Sequence, residues 1–167
     1  TAVQEVEGQL RTMKSALQAR IGAEVNVTSP IMAWMVESAG QMIHKFSVGR
    51  DGRTAYERIR GTRSRRPMVE FGETIWYKSI DADKDADQGK MEPRWEEGVW
   101  LMVRERSGEN VIGTSDGVIK ARSIRRRPKA ERWSADKVKD MKGFPWNRTA
   151  TLRTDRSRSR LPCPGPW

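Results

Sequence analysis

Between Phe71 and Arg127 the chain carries short apolar runs separated by turn-forming residues, a pattern that strands satisfy and helices do not. The runs are Thr74-Ile75-Trp76-Tyr77, Val99-Trp100-Leu101-Met102-Val103, Val111-Ile112, and Val118 to Ile124. Ser107-Gly108 breaks the chain after the second run, and Asp116-Gly117 lies between the third and the fourth. An Asp-Gly pair tolerates positive φ, so it predicts a tight hairpin there. Several such runs in close succession describe a small antiparallel barrel or sandwich. In the last run, alternation puts Ile119 and Ala121 on one face and Lys120 and Arg122 on the other. The strand then enters Arg125-Arg126-Arg127, so a cationic outer face is expected.

Charge points the same way. The 167 residues carry a formal net charge of +10, which favours a polyanionic partner, nucleic acid first. A hydrophobic content of 36% is low for a fully globular chain of this length, and part of it is expected to be disordered. With Cys163 the only cysteine and His44 the only histidine, an internal disulfide and a four-ligand Cys/His zinc site are both excluded. No apolar run approaches the ~20 residues of a membrane span, and residues 1–21 carry acids where a signal peptide has an apolar block. An intracellular location is expected. The chain opens on Thr1 without an initiator methionine, which reads as an internal piece of something longer.

Before the strands, the periodicity is helical. Val3, Val6, Leu10, Met13, Leu17 and Ile21 recur at spacings of three and four, with Gly22 placed to end the helix and a polar face that includes Glu7 and Arg11. Pro30 opens a second helix carrying Ile31, Trp34, Met35, Ser38 and Met42. A turn at Gly49 to Gly52 leads to Thr54 and Glu57, the spacing of a capping box, and the short helix so opened stops at Gly61. Arg63-Ser64-Arg65-Arg66-Pro67 is then a basic linker. After the strands, Ser134 predicts the cap of another helix through Val138 and Met141 to Gly143, with Phe144-Pro145-Trp146 packing back on the barrel. From Asn147 to Trp167 no apolar periodicity remains, and Arg153, Arg156, Arg158 and Arg160 suit a disordered polyanion tether.

These residues carry a resemblance. Thr54-Ala55-Tyr56-Glu57-Arg58-Ile59-Arg60-Gly61 is similar to the Thr-Pro-Tyr/Phe-Glu-x-x-x-Gly signature near the end of the catalytic core in retrotransposon and retroviral integrases, with Ala55 where many members have Pro. Phe71-Gly72-Glu73-Thr74-Ile75-Trp76, followed by Arg94-Trp95 and Gly98-Val99-Trp100, resembles the segment of those integrases in which Phe-Gly-Asp/Glu opens an SH3-like barrel. The opening Ala2 to Arg11 resembles the helix after the family's third catalytic carboxylate. The resemblance implies an α+β chain: residues 1–62 as the C-terminal helices of an RNase H-like core, 68–128 as an SH3-like β-barrel, 129–146 as a short helical extension, and 147–167 as a disordered basic tail. It also implies a nuclear location and, as partners, DNA and other integrase subunits.

Integrases of this kind join DNA ends to a target by two-metal phosphoryl transfer, with two Asp and one Glu holding Mg²⁺. By the match those carboxylates, and the family's zinc module, lie upstream of Thr1. The fragment is therefore expected to hold no cofactor and to be inactive, Glu5 and Glu7 falling too late in the helix to be the family's Glu. Asp81, Asp83, Asp85, Asp87 and Glu92 imitate the spacing of an EF-hand loop, but Ala86 stands where that loop needs Gly. A solvated acidic loop that repels phosphate is the expectation. Sequence-tolerant DNA binding is assigned to Lys120, Arg122, Arg125, Arg126, Arg127 and Lys129, since such side chains reach phosphates and carry little base information. Two alternatives stand beside it. One is a Tudor- or chromo-like module in which Trp76, Tyr77, Trp95 and Trp100 form an aromatic pocket for a cationic or methyl-lysine peptide; the other is a decayed retroelement copy without a selected function.

Overall fold

The computed structural model describes residues 1–66, 69–79 and 95–147; the acidic loop and the basic tail lie outside them. Three helices, α1 (Ala2–Ile21), α2 (Pro30–Phe46) and α3 (Ala55–Arg60), are followed by strands β1 (Thr74–Ser79), β2 (Glu96–Val103), β3 (Asn110–Thr114) and β4 (Gly117–Arg126). A 3-10 turn at Lys129–Glu131 and a short helix, α4 (Ala135–Asp140), complete the described chain. The fold is α+β, helices followed by a small barrel.

The helices form where the periodicity predicts. Leu17 is buried, and Leu10, Met13 and Ile21 pack beside it, whereas Val3 at the start of the stripe stays 68% exposed. On α2 the side chains of Ile31, Trp34, Met35, Ser38 and Ala39 are buried. In α3 the capping box is complete: Glu57 N–H donates to Thr54 Oγ1 at 3.1 Å and Thr54 N–H to Glu57 Oε2 at 2.8 Å. His44 lies edge-on to the Tyr56 ring at 6.0 Å.

The four strands close into an antiparallel barrel, β4 returning to pair with β1. Hydrophobic residues divide into two clusters across its wall. Ile75, Tyr77, Trp100, Val103, Ile112 and Ala121 fill the lumen. Phe71, Val99, Leu101 and Val111 point outward and join Leu17, Val25, Ile31, Trp34 and Met35 of the helices, with Val138 and Met141 of the α4 segment. The helices and the barrel thus share a core. Because β2 is covered on both faces, its apolar residues run without alternation.

Two bulges decide which side chains face where. In β2 the register moves from Trp100↔Ile112 to Met102↔Val111, leaving Leu101 as the extra residue, so both Trp100 and Val103 reach the lumen. In β4 it moves from Lys78↔Ser123 to Ser79↔Ala121, leaving Arg122 unopposed. Ile119 and Ala121 face the lumen as alternation predicts, but beyond the bulge the parity changes and Ile124, not Ser123, packs against that cluster. The β3–β4 hairpin also differs from the expectation by one residue. Thr114 pairs with Gly117, so the two-residue loop is Ser115-Asp116, and Gly117 follows it with a φ of 131°.

At the C-terminal side, Ser134 Oγ accepts from Lys137 N–H, capping α4 as expected. Trp34 Nε1–H donates to the Gly143 carbonyl at 2.9 Å, and Lys142 N–H to the Thr114 carbonyl at 3.1 Å. A Cβ on Gly113 would lie 2.2 Å from Met141 Sδ, so this close approach needs a glycine in β3. The packing expected of Trp146 is not found: it stacks on Phe144 at 5.0 Å and stays 77% exposed.

Candidate nucleic-acid interface

Phe71-Gly72-Glu73 sits where α1 meets the barrel. Phe71 enters the shared core, while Gly72, at φ +82°, gives its N–H to the Trp100 carbonyl at 3.0 Å. Leu17 Cδ1 lies 2.5 Å from where a Gly72 Cβ would stand, so another residue there would strain the backbone and displace the Leu17 side chain. Glu73 is wholly buried. Its carboxylate accepts from Arg126 Nε at 2.9 Å and Nη2 at 2.8 Å, and Arg132 Nε lies at 3.5 Å. This bidentate pairing pushes the Arg126 pKa further up, so that guanidinium is charged throughout. The arginine at the end of β4 is fastened to the residue just before β1.

The six cations named from the sequence therefore fall into two groups. Lys120, Arg122, Arg125 and Lys129 are exposed and make no ion pair among the described residues. Lys120 and Arg125 project from the outer wall of β4, with Arg122 at the bulge between them. Arg125 lies over Trp95, its Cζ 4.6 Å from the ring centroid, a cation–π contact that holds the side chain near the surface. Arg126 and Arg127 are held by carboxylates instead. Arg127 is largely buried, lies over Trp76 at 5.6 Å, and pairs with Glu97 at 2.9 Å and Glu131 at 2.8 Å. Glu97 also accepts from Lys137, and that hydrogen bond, together with the neighbouring cations, lowers its pKa below the ordinary glutamate value.

The four aromatic residues named from the sequence are separated by the barrel wall. Trp100 and Tyr77 belong to the lumen cluster, with Trp100 Nε1–H donating to Asn110 Oδ1 at 3.1 Å and Tyr77 Oη–H to Glu96 at 2.7 Å. Trp76 and Trp95 lie outside, each facing one of the chain's own arginines. Desolvation and the Glu96 carboxylate push the Tyr77 phenol pKa well up. Glu5 and Glu7 are exposed, Glu5 accepting from Ser47 Oγ at 2.7 Å and Glu7 lying 4.0 Å from Arg11. Among the described residues no cluster of three metal-ligating side chains occurs, and no helix is long and apolar enough to cross a membrane.

Sequence reasoning missed Arg20, Arg132 and Trp133, which gather near Arg126 and Lys129 around a cavity of about 270 Å³ at the helix–barrel seam. The signal was Glu73, an acid within an apolar strand start, which demanded a buried cationic partner. Compared with known proteins, the chain matches no family model, no curated sequence and no solved structure.

Proposed function

We propose that this chain is part of a retroelement-type integrase and that it binds duplex DNA through the outer wall of β4 without reading its sequence. On this reading α1 to α3 are the last helices of an RNase H-like core, the barrel is the SH3-like module that follows it, and catalysis with Mg²⁺ belongs to carboxylates upstream. The observation that carries the DNA-binding part is the row of Lys120, Arg122 and Arg125, exposed and without carboxylate partners among the described residues, in a chain of net charge +10. Such a row attracts phosphates, and a guanidinium already held over Trp95 loses less side-chain freedom on binding one. The aromatic-pocket reading has less support, because Trp76 and Trp95 already face Arg127 and Arg125, and Tyr77 and Trp100 point into the lumen.

The test is a fluorescence-anisotropy titration of duplex DNA at several salt concentrations. With Lys120, Arg122, Arg125 and Lys129 each neutralising one phosphate, log K should fall against log salt with a slope of about −3 to −4. Changing Lys120, Arg122 and Arg125 together to Ala should flatten that slope by roughly 2.5 while discrimination between sequences barely changes. A slope unaltered by the triple substitution excludes this face, and no DNA binding at low salt excludes the function.

A further inference from the structure

The cavity at the helix–barrel seam has a chemistry of its own. Four cations, Arg20, Arg126, Lys129 and Arg132, face two carboxylates, Glu70 and Glu73, an excess of two positive charges around about 270 Å³. Concave walls of low dielectric concentrate that potential. The carboxylates act as braces: Glu73, with no solvent exposure, holds Arg126 and Arg132, while Glu70 pairs with Arg20, which also lies over the Trp133 ring at 4.9 Å. Much hydrogen-bonding capacity is left over. Arg126 uses Nε and Nη2 on Glu73, leaving Nη1. Arg132 uses Nε on the Arg127 carbonyl at 2.7 Å, and its two terminal nitrogens have no acceptor among the described residues. Lys129 has no ion pair among them. Unsaturated N–H donors, those of Arg126 and Arg132 held in place by Glu73, suit a compact oxyanion with several acceptor oxygens.

From this arrangement we infer that the cleft is a receptor for the terminal phosphate of a DNA strand. A phosphomonoester carries about −1.5 to −2 charges near pH 7, matching the excess of two, whereas a backbone phosphodiester carries only one. Position favours an end as well. Arg125, the last of the exposed row, is followed in the chain by Arg126 and then Lys129 of the cleft, so the cleft lies at the end of β4 where the row stops. The inference rests on the DNA-binding reading above, but its readout is separate: the difference between phosphorylated and unphosphorylated ends, not the salt slope.

The experiment measures anisotropy for one duplex prepared with 5′-phosphate, 3′-phosphate and hydroxyl ends, with inorganic phosphate as competitor and a phosphoserine peptide as a separate ligand. A phosphate at one of the two end types should tighten binding roughly tenfold, the scale of one charge-assisted hydrogen bond. Inorganic phosphate should erase that advantage. Arg20→Gln and Lys129→Gln, both at exposed positions, should each bring the ratio toward one; Arg122→Ala should weaken all duplexes alike and keep it. Equal affinity for all ends overturns the inference while leaving duplex binding in place. A ratio that survives both cleft substitutions overturns it too, as does a phosphoserine peptide that binds the cleft while phosphorylated duplexes show no advantage. A chain that binds no duplex at all overturns this inference and the functional reading together.

Discussion

Glu73 shows what a single buried charge demands. A carboxylate with no exposure is stable only with its cationic partners in place, so Arg126 is a structural residue before it is anything else. Arg126→Ala leaves Arg132, at 3.5 Å, as the remaining partner and should cost about 3–5 kcal/mol, checked by urea denaturation. A substitution spanning Arg125 to Arg127 would therefore report on folding as well as on binding. Acid sensitivity follows from charges nearby. The hydrogen bond from Lys137 lowers the Glu97 pKa, and Arg58 on Asp51 and the Thr54 N–H on Glu57 act in the same direction. A carboxylate whose folded pKa is depressed stabilises the fold above its unfolded value, about 4 for these groups, and loses that stabilisation as pH falls through the folded value. The melting temperature should hold from neutral pH down to about pH 5 and decline below it, and Glu97→Gln should shrink the decline. An acid limb identical in wild type and Glu97→Gln would remove Glu97 from that account.

At the scale of elements, β2 and β4 depend on their bulges. Without the extra residue at Leu101, strict alternation would turn Val103 out of the lumen; with it, Trp100 and Val103 both pack inside. Trp100 is the largest lumen side chain and satisfies its indole N–H on Asn110, so Trp100→Ala should destabilise the barrel by about 3–5 kcal/mol, read by chemical denaturation. A stable variant would mean that the lumen collapses around the lost ring. The bulge at Arg122 bears on the proposed binding face, since it sets the parity by which Arg125 faces outward over Trp95 and Ile124 faces inward.

Across the whole molecule, the cluster joining α1, α2, the outer wall of the barrel and α4 ties the helices to the strands. The stretch Gly61–Arg66 is mostly exposed and remains the natural place for a protease to cut. After such a cut the pieces should stay together under native conditions, because parting them would bare Phe71, Val99, Leu101 and Val111 on one side and Leu17, Ile31 and Met35 on the other. Co-elution of the nicked fragments in size-exclusion chromatography, with separation only in denaturant, is the expected outcome. Fragments that part in native buffer would show that the shared cluster contributes little.

The sequence by itself determined the helices, their caps, the strand-and-turn rhythm of the barrel and the cationic character of β4, because each is written in local spacing: i, i+3, i+4 for α1 and α2, Thr54 to Glu57 for α3, short apolar runs for β1 to β4. The unbroken run from Val99 to Val103 even held a sign that β2 is covered on both faces. Local spacing could not say which arginine is spoken for. Arg125, Arg126 and Arg127 are adjacent and chemically identical, yet one lies over Trp95, one is clamped to Glu73 and one is held, partly buried, between Trp76 and Glu97. Those fates depend on a bulge, on barrel closure and on residues more than fifty positions away in the case of Glu73, and such contacts exist only once the chain has folded.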